Sequence, residues 1–342
     1  MSRPGLLLAA CIAACAAEAP PTGSERIVSV APNLTELLFA AGAAGQLVAV
    51  SEYSDYPEAA RSLPRIGDAF RLDYERIVAL APTVAVVWES GTPPEVARRL
   101  EDLGIRVVGI PTRRLDDIAV ALETLGDLAG TEAIAAAAAA AFRAEISGLR
   151  DDYRERQRRS VFIQIDDAPL FTVGGRHLIS EIVELCGGRN VFAEAAALAF
   201  PVDLESVLVR APDVILSTDD GDPVAYWARF TGLAAVANGN VYRAPADLLA
   251  RPSPRISAGA AQVCTRLDEA RSRGTRRVSV RGRSFDDDAR SWAIDAHDMG
   301  REEVASEQAL GTDQQEIQHD DFQRPEIAVI QREPARRIGA IG

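Results

Sequence analysis

The sequence predicts an α/β protein of two similar lobes, each built on a central parallel sheet, joined by one long backbone helix. Three observations support this fold class: a segment that occurs twice, strands that alternate with helices, and a long Ala-, Glu- and Arg-rich stretch without Pro. Alternating strands and helices are typical of parallel sheets covered by helices. The 342 residues are enough for two domains that each bury a core.

The repeated segment spans residues 73–84 and returns 130 positions later at residues 203–214. Both copies have an Asp, a Glu two residues later and an Ala-Pro pair, and their apolar positions coincide. Residues 35–42 and 180–187 form a second similar pair, each with a polar start and a terminal Gly. Such internal similarity indicates two equivalent units. We therefore expect a binding cleft between them.

The elements of the first lobe follow in order from residue 27. A β-rich run at 27–30 precedes a helix that ends at Gly42, with Asn33 as its expected N-cap and Glu36 at the capping-box position. Continuous apolar runs are typical of strands buried on both faces, and they occur at 47–50, 84–87 and 107–110.

The stretch at 131–159 predicts the connecting helix. The first lobe is then 25–130 and the second is 160–273, with strands expected near 161–165, 214–216 and 241–242 and a closing helix that carries Cys264. A single helical connection predicts a stiff linkage without large hinge closure.

The two ends of the chain differ from this pattern. Residues 1–15 carry one Arg and a short apolar run, which predicts a lipoprotein-type signal peptide with Cys15 as the lipidated residue; an ordinary cleaved signal is the alternative. Residues 16–24 would form a flexible tether. The charged, aperiodic residues 274–342 predict a disordered tail without a function. We expect an extracytoplasmic, lipid-anchored protein.

Charge and composition exclude several classes of function. The net charge is −13, and all 37 basic residues are Arg. Nucleic-acid binding needs a basic surface to meet the phosphates, so an acidic chain disfavours it. His177 is the only His before the tail, so a receptor for free Zn²⁺ or Mn²⁺ is disfavoured. We expect His177 to start a helix; an axial haem ligand is the alternative.

Two cysteines, Cys186 and Cys264, remain after the export segment. In an oxidising compartment they predict a disulfide rather than a nucleophile or a zinc site.

Enzyme motifs are missing from the sequence. The Gly pairs at 174–175 and 187–188 lack the spacing and the Lys of a phosphate-binding fingerprint, and no Gly-x-Ser-x-Gly elbow occurs. The sequence therefore predicts a binding protein rather than an enzyme, without a catalytic cofactor or a metal.

Four motifs, at residues 26–37, 53–57, 75–82 and 186–192, resemble the helical-backbone metal-receptor superfamily. Within it the chain is most similar to the vitamin B12 binding proteins of bacterial ABC importers, over residues 25–272. The resemblance implies a class III periplasmic binding protein. Its members are expected to act as monomers that hold a ligand edge-on between two lobes and deliver it to a membrane permease.

The resemblance also implies roles for the duplicated glutamates, Glu75 and Glu205, which would dock onto the permease. Each lies two residues after an Asp that could cap a helix. Stabilisation of the positive helix end is therefore the alternative role. Charged contacts of this kind set orientation and association rate more than affinity.

A corrinoid is a flat macrocycle with an amide fringe, so its site needs aromatic walls and a few polar groups. The candidates at family positions are Tyr53, Phe70, Trp88, Phe171, Phe200, Asp247 and Arg251. A place in the core is the alternative for Phe70, Trp88 and Phe171. The loop at 247–251 lacks the aromatic rings of the B12 pattern.

These observations predict a substrate-binding protein that captures cobalamin or a related corrinoid. The first alternative is a receptor for haem or a ferric siderophore, with Tyr53 as a haem ligand. The second is an adaptor that docks to a membrane complex without a small ligand.

Overall fold

The computed structural model describes residues 25–68 and 71–273. The signal peptide with Cys15, the tether, Phe70 and the tail lie outside the described residues. The chain divides into two compact units. Unit 1 extends to Glu145 and includes the segment Arg251–Pro254, whereas unit 2 contains Ile146–Ala250 and continues from Arg255. The sequence predicts a single connection between the two units. It does not predict that Arg251–Pro254 returns to unit 1.

Unit 1 is built on a four-stranded parallel sheet. Its strands are β1 (Ile27–Ser29), β2 (Leu47–Val50), β3 (Val84–Trp88) and β4 (Arg106–Ile110), in the order β2-β1-β3-β4. The helices are α1 (Pro32–Ala40), α2 (Tyr74–Ala79), α3 (Pro94–Asp102) and α4 (Leu115–Ala129). The central strands are buried because helices cover the sheet.

Unit 2 contains a larger sheet. Its strands are β5 (Arg159–Asp167), β6 (Leu170–Val173), β7 (Gly188–Asn190), β8 (Ala199–Pro201), β9 (Val214–Ser217) and β10 (Val241–Arg243). The helices are α6 (Leu178–Leu185), α7 (Leu204–Arg210), α8 (Pro223–Trp227), α9 (Ala234–Ala237), α10 (Ala246–Leu249) and α11 (Ile256–Ser272). Trp227, at the centre of the core, donates its indole N–H to Gln164 Oε1 at 2.7 Å.

The two sheets repeat one topology. In unit 2 the parallel strands lie in the order β7-β5-β9-β10, which matches β2-β1-β3-β4 of unit 1. Unit 2 adds two antiparallel strands, β6 beside β5 and β8 beside β6. The predicted α/β fold with two similar sheets is therefore confirmed.

The hydrogen bonds at the start of the two sheets repeat as well. In unit 1 the backbone N–H of Arg26 donates to Thr83 Oγ1 at 2.9 Å, and the N–H of Thr83 donates to the Arg26 carbonyl. In unit 2 the N–H of Ser160 donates to Asp213 Oδ2 at 3.0 Å, and the N–H of Asp213 donates to the Ser160 carbonyl. Thr83 and Asp213 occupy the same position of the sequence repeat.

The connecting helix is shorter than predicted. Helix α5 spans Glu132–Tyr153, 22 residues, and so ends before residue 159. Arg159 already pairs with Gly188 in the parallel ladder of β5 and β7. The high helix propensity of residues 154–159 is overridden in a segment that must lead into the sheet at Arg159.

The predicted capping box of α1 is wrong. Helix α1 begins at Pro32 with Ala31 as its N-cap, and no side chain caps it. A Pro in the first turn is suited to this position because its missing N–H would have no partner there. Asn33 and Glu36 consequently lie inside the helix, and both are buried.

The predicted disulfide is present. Cys186 follows α6 and Cys264 lies in α11, with Cα atoms 4.7 Å apart. In the described part of the chain, no helix combines the length and apolar character needed to cross a membrane.

Candidate functional site

The loop that follows β2 presents an exposed aromatic side chain. Tyr53 is 44% exposed, and its backbone has the left-handed φ of 62°. Few residues other than Gly adopt this conformation unless their surroundings fix it. Tyr56 in the same loop is 46% exposed.

Buried hydroxyl groups anchor this loop to the start of α1. Thr35 Oγ1 donates to Ser29 Oγ at 2.8 Å and lies 3.0 Å from Ser54 Oγ, which lies 3.2 Å from Ser51 Oγ. All four residues are buried. The residue after Tyr53 is therefore tied to both β1 and α1, which restricts the conformations open to Tyr53.

A guanidinium group supports the loop as well. Arg65 Nη1 donates to the carbonyl oxygens of Ser51 and Ser54, at 3.0 Å and 2.9 Å.

The other anchor is formed by the segment Arg251–Pro254, which belongs to unit 1. Arg251 Nη1 donates to Asp55 Oδ1 at 2.5 Å and lies 3.3 Å from Glu36 Oε1. Ser253 Oγ donates to Glu36 Oε2 at 2.6 Å. Arg251 is thus linked through Asp55 to the loop that carries Tyr53, and both Arg251 and Tyr53 are predicted ligand residues.

Glu36 is a residue that sequence reasoning misassigned. Its side chain is only 2% exposed. A buried carboxylate needs a cation or several donors because its desolvation costs several kcal/mol. The one signal in the sequence is its position among Leu34, Leu37 and Leu38, on a helix with few other polar groups. Two of its partners, Arg251 and Ser253, lie more than 210 residues away in the sequence.

Trp88 is the last residue of β3 and is half-buried. A turn folds back over its ring, since a Cβ added at Gly91 would lie 2.1 Å from Trp88 Cε3. Its indole Nε1 is buried and has no hydrogen-bond partner among the described residues. Whether Trp88 contacts a ligand stays a prediction.

Phe171 and Phe200 lie on neighbouring antiparallel strands but on opposite faces. Phe200 pairs with Thr172, so these two side chains share a face, and Phe171 pairs with Pro201. Phe200 packs edge-on against Phe192, at 5.9 Å between ring centroids, and contributes to the core. Phe171 lies on the other face and is half-buried.

Asp247 lies in α10 of unit 2. Its side chain is 66% exposed, and Oδ2 lies 3.8 Å from Arg255 Nη1. Arg251, only four residues later, belongs to unit 1. The two residues that the sequence groups in one loop therefore belong to different units.

The duplicated glutamates lie in the first turns of α2 and α7. Asp73 Oδ1 accepts from the Arg76 N–H at 2.9 Å, and Asp203 Oδ1 accepts from the Ser206 N–H at 2.6 Å. These are the predicted N-caps, and the hydrogen bonds from Ser206 hold the pKa of Asp203 below its usual value. Glu75 and Glu205 are both exposed.

His177 is the N-cap of α6, as the sequence predicts. Its Nδ1 accepts from the Ile179 N–H at 3.2 Å. Burial lowers the pKa of His177 to about 4, because the charged imidazolium would lose its hydration. The imidazole is neutral at physiological pH.

One acidic cluster could attract a cation. Carboxylate oxygens of Asp166, Asp167 and Asp219 lie within 4.8 Å of one another. Burial raises the pKa of Asp219, and the charge of Asp167 adds to this effect. Such clusters also occur without a metal, so we assign none here.

Comparison with known proteins identifies related sequences. The matching family is described as periplasmic binding protein, and the match covers residues 27–248. A vitamin B12-binding protein of Vibrio cholerae is 37% identical over 251 residues, which cover 73% of this chain and 91% of that protein. A vitamin B12-binding protein of Yersinia pestis is 36% identical over 252 residues, covering 72% of this chain and 88% of that protein.

Solved structures agree with these matches. The periplasmic vitamin B12 binding protein BtuF of Vibrio cholerae superposes with a TM-score of 0.68 at 37% identity, covering 72% of this chain and 98% of that one. The periplasmic haem-binding protein BhuT, solved with two haems, superposes with a TM-score of 0.67 at 23% identity, covering 72% of this chain and 99% of that one. The second likeness concerns the fold alone.

Proposed function

The chain belongs to the periplasmic binding protein family, and from this premise we propose that it binds cobalamin or a related corrinoid for an ABC importer. Family membership makes it a transport binding protein rather than an enzyme, as the sequence predicts. The motif resemblance to the B12 binding proteins is also confirmed by the relatives.

The observation that carries the proposal is the identity of 37% to a vitamin B12-binding protein over 73% of the chain. The geometry of unit 1 supports it. An exposed aromatic ring on a backbone fixed by buried hydroxyl groups suits a flat macrocycle, because stacking on a preorganised ring costs little entropy.

The proposed ligand contacts differ in their support. Tyr53 is exposed, and Arg251 keeps donors for the oxygen atoms of an amide fringe. Phe171 is placed off the core and Asp247 is exposed, so both stay in the proposed set. Phe200 packs against Phe192, which favours a supporting role in the core. Phe70 lies outside the described residues, and Trp88 stays a prediction.

Two further parts of the proposal concern the membrane. We propose that Glu75 and Glu205 dock onto the permease, because each is exposed at the same position of its unit. We also propose a lipid anchor on Cys15, on the basis of the signal-like sequence before it.

Titration of the full chain with cyanocobalamin, haemin and a ferric siderophore, followed by calorimetry, tests the ligand. Saturable heat at micromolar or lower concentration with cyanocobalamin alone supports the proposal. Binding of haemin or the siderophore alone selects the corresponding receptor of the same fold. Absence of heat with all three ligands rejects the proposal and favours the adaptor.

A further inference from the structure

Helix α1 contains a buried carboxylate that binds two residues of one distant segment of the sequence, Arg251 and Ser253. Glu36 Oε2 accepts from Ser253 Oγ at 2.6 Å, and Oε1 lies 3.3 Å from Arg251 Nη1. Ser253 is 1% exposed and the Arg251 side chain is 12% exposed. Unlike a surface ion pair, this cluster is shielded from water, so the loss of one partner weakens the compensation of a buried charge.

The same guanidinium nitrogen reaches the Tyr53 loop. Arg251 Nη1 lies 2.5 Å from Asp55 Oδ1, and the Asp55 carboxylate is half exposed. Asp55 is two residues after Tyr53, and the Asp55 N–H donates to the Tyr53 carbonyl at 3.0 Å. Asp55 therefore links the Arg251 guanidinium to the backbone of Tyr53.

Arg251 uses a single nitrogen for both carboxylates. Its Nε and Nη2 make no hydrogen bond to the described residues. A guanidinium is planar, so fixing Nη1 between two carboxylates also sets the directions of the remaining N–H groups. Those groups suit the carbonyl or phosphate oxygens of a ligand.

We propose that Glu36 is a positioning residue for ligand binding. Its buried carboxylate holds Arg251 and Ser253 against α1, aims the remaining Arg251 donors at an oxygen acceptor of the ligand, and fixes the loop that presents Tyr53. Glu36 itself is buried and does not touch the ligand. The inference rests on the proposed function for the identity of the ligand, whereas the linkage between Glu36, Arg251 and the loop does not depend on it.

The test compares Glu36→Gln with a matched control. Glu36→Gln keeps the size of the side chain and an acceptor for Ser253 but removes the charge that faces Arg251. The control is Glu123→Gln, which removes a Glu from another Glu–Arg pair of unit 1, with Arg143 Nη1 2.6 Å from Glu123 Oε1. Both variants, together with Arg251→Gln and the Glu36→Gln/Arg251→Gln double variant, are made in the full chain.

Two measurements are made on each variant: the affinity for cyanocobalamin, and hydrogen exchange of residues 51–57 without ligand. We expect Glu36→Gln to weaken binding about tenfold and to speed exchange in this loop, and Glu123→Gln to do neither. In the Arg251→Gln background, adding Glu36→Gln should change affinity much less than in the wild-type background, because most of the effect of Glu36 on the ligand passes through Arg251.

Equal affinity and exchange for Glu36→Gln and wild type would overturn the proposal, as would additive effects in the double variant. If Glu36→Gln does not fold, Ser253→Ala gives the same test, with a smaller loss of affinity expected and an unchanged affinity contradicting the proposal. If the wild-type chain does not bind cyanocobalamin, both the proposed function and the ligand role of Glu36 are wrong. Faster exchange of residues 51–57 in Glu36→Gln would in that case still support the linkage between Glu36 and the loop.

Discussion

Ala81 and Ala211, 130 residues apart, share the same uncommon backbone conformation, with φ of 44° and 43°. Each is an Ala directly before a Pro, after a short helix that an Asp caps. An L-residue in this region costs about 1 to 2 kcal/mol relative to right-handed helix. Retention of this conformation in both units shows that the duplication extends to local geometry.

This relationship predicts equal sensitivity to a β-branched side chain. Ala81→Val and Ala211→Val should each destabilise the protein by about 2 kcal/mol, because Val fits a left-handed backbone worse than Ala does. Chemical denaturation of the full chain measures the loss. Ala133→Val, on the exposed side of α5, is the control and should cost well under about 1 kcal/mol. A loss at only one of the two positions would show that the turns are not equivalent.

The docking proposal predicts a loss of transport without a loss of binding. Glu75→Arg combined with Glu205→Arg should abolish stimulation of the importer, because the variant reverses the exposed charges that we propose to face the permease. Affinity for cyanocobalamin should stay at the wild-type value. Glu101→Arg, a charge reversal at an exposed residue of α3, is the control and should transport normally. Undiminished transport by the double variant would refute the docking role.

His177 predicts a specific dependence of stability on pH. Its pKa in the folded protein is about 4, below the value near 6.5 expected in the unfolded chain. The unfolded state therefore binds more protons between these values, so the stability contributed by neutral His177 is full above pH 6.5 and is lost as pH falls towards 4. The total loss is about 3 kcal/mol.

His177→Asn should remove most of this dependence. The Asn side chain can still accept from the Ile179 N–H but does not titrate. Urea denaturation of both proteins at several pH values between 8 and 4 measures the difference. Parallel pH profiles for the wild type and the variant would mean that other groups cause the acid sensitivity.

The disulfide predicts a large effect of reduction. Cys186 and Cys264 close a loop of 78 residues, and the chain-entropy model assigns about 4 kcal/mol to such a crosslink. Adding a reductant should lower the denaturation midpoint of the wild type. Cys186→Ser/Cys264→Ser should begin at the lower midpoint and be insensitive to reductant. A reductant effect of equal size in that variant would point to another cause.

The sequence predicts the fold well where hydrophobic runs and caps are local. Features that depend on neighbouring residues are predicted correctly: the strands at 47–50, 84–87 and 107–110 and the Asp caps of α2 and α7. The disulfide is predicted because only two cysteines remain after the export segment. The end of α5 is different, because residues 154–159 have good helix propensity, yet the helix ends at Tyr153 and Arg159 pairs with Gly188 in the sheet.

The candidate site is harder to predict because its contacts join distant residues. Glu36 matches a capping-box position, so the local pattern assigned it a local role. Its interaction with Arg251 spans 215 residues and has no counterpart in sequence periodicity. Likewise, only the pairing of β6 with β8 reveals that Phe171 and Phe200 lie on opposite faces.

Binding of cyanocobalamin to the wild type, Tyr53→Phe and Tyr53→Ala, measured by calorimetry, tests the corrinoid proposal most directly. We predict one saturable site in the wild type, similar affinity for Tyr53→Phe because the ring is kept, and about tenfold or greater loss for Tyr53→Ala. No saturable heat in the wild type would contradict corrinoid binding. If the wild type instead binds haemin tightly and Tyr53→Phe loses haemin binding, the phenol oxygen of Tyr53 is a haem ligand.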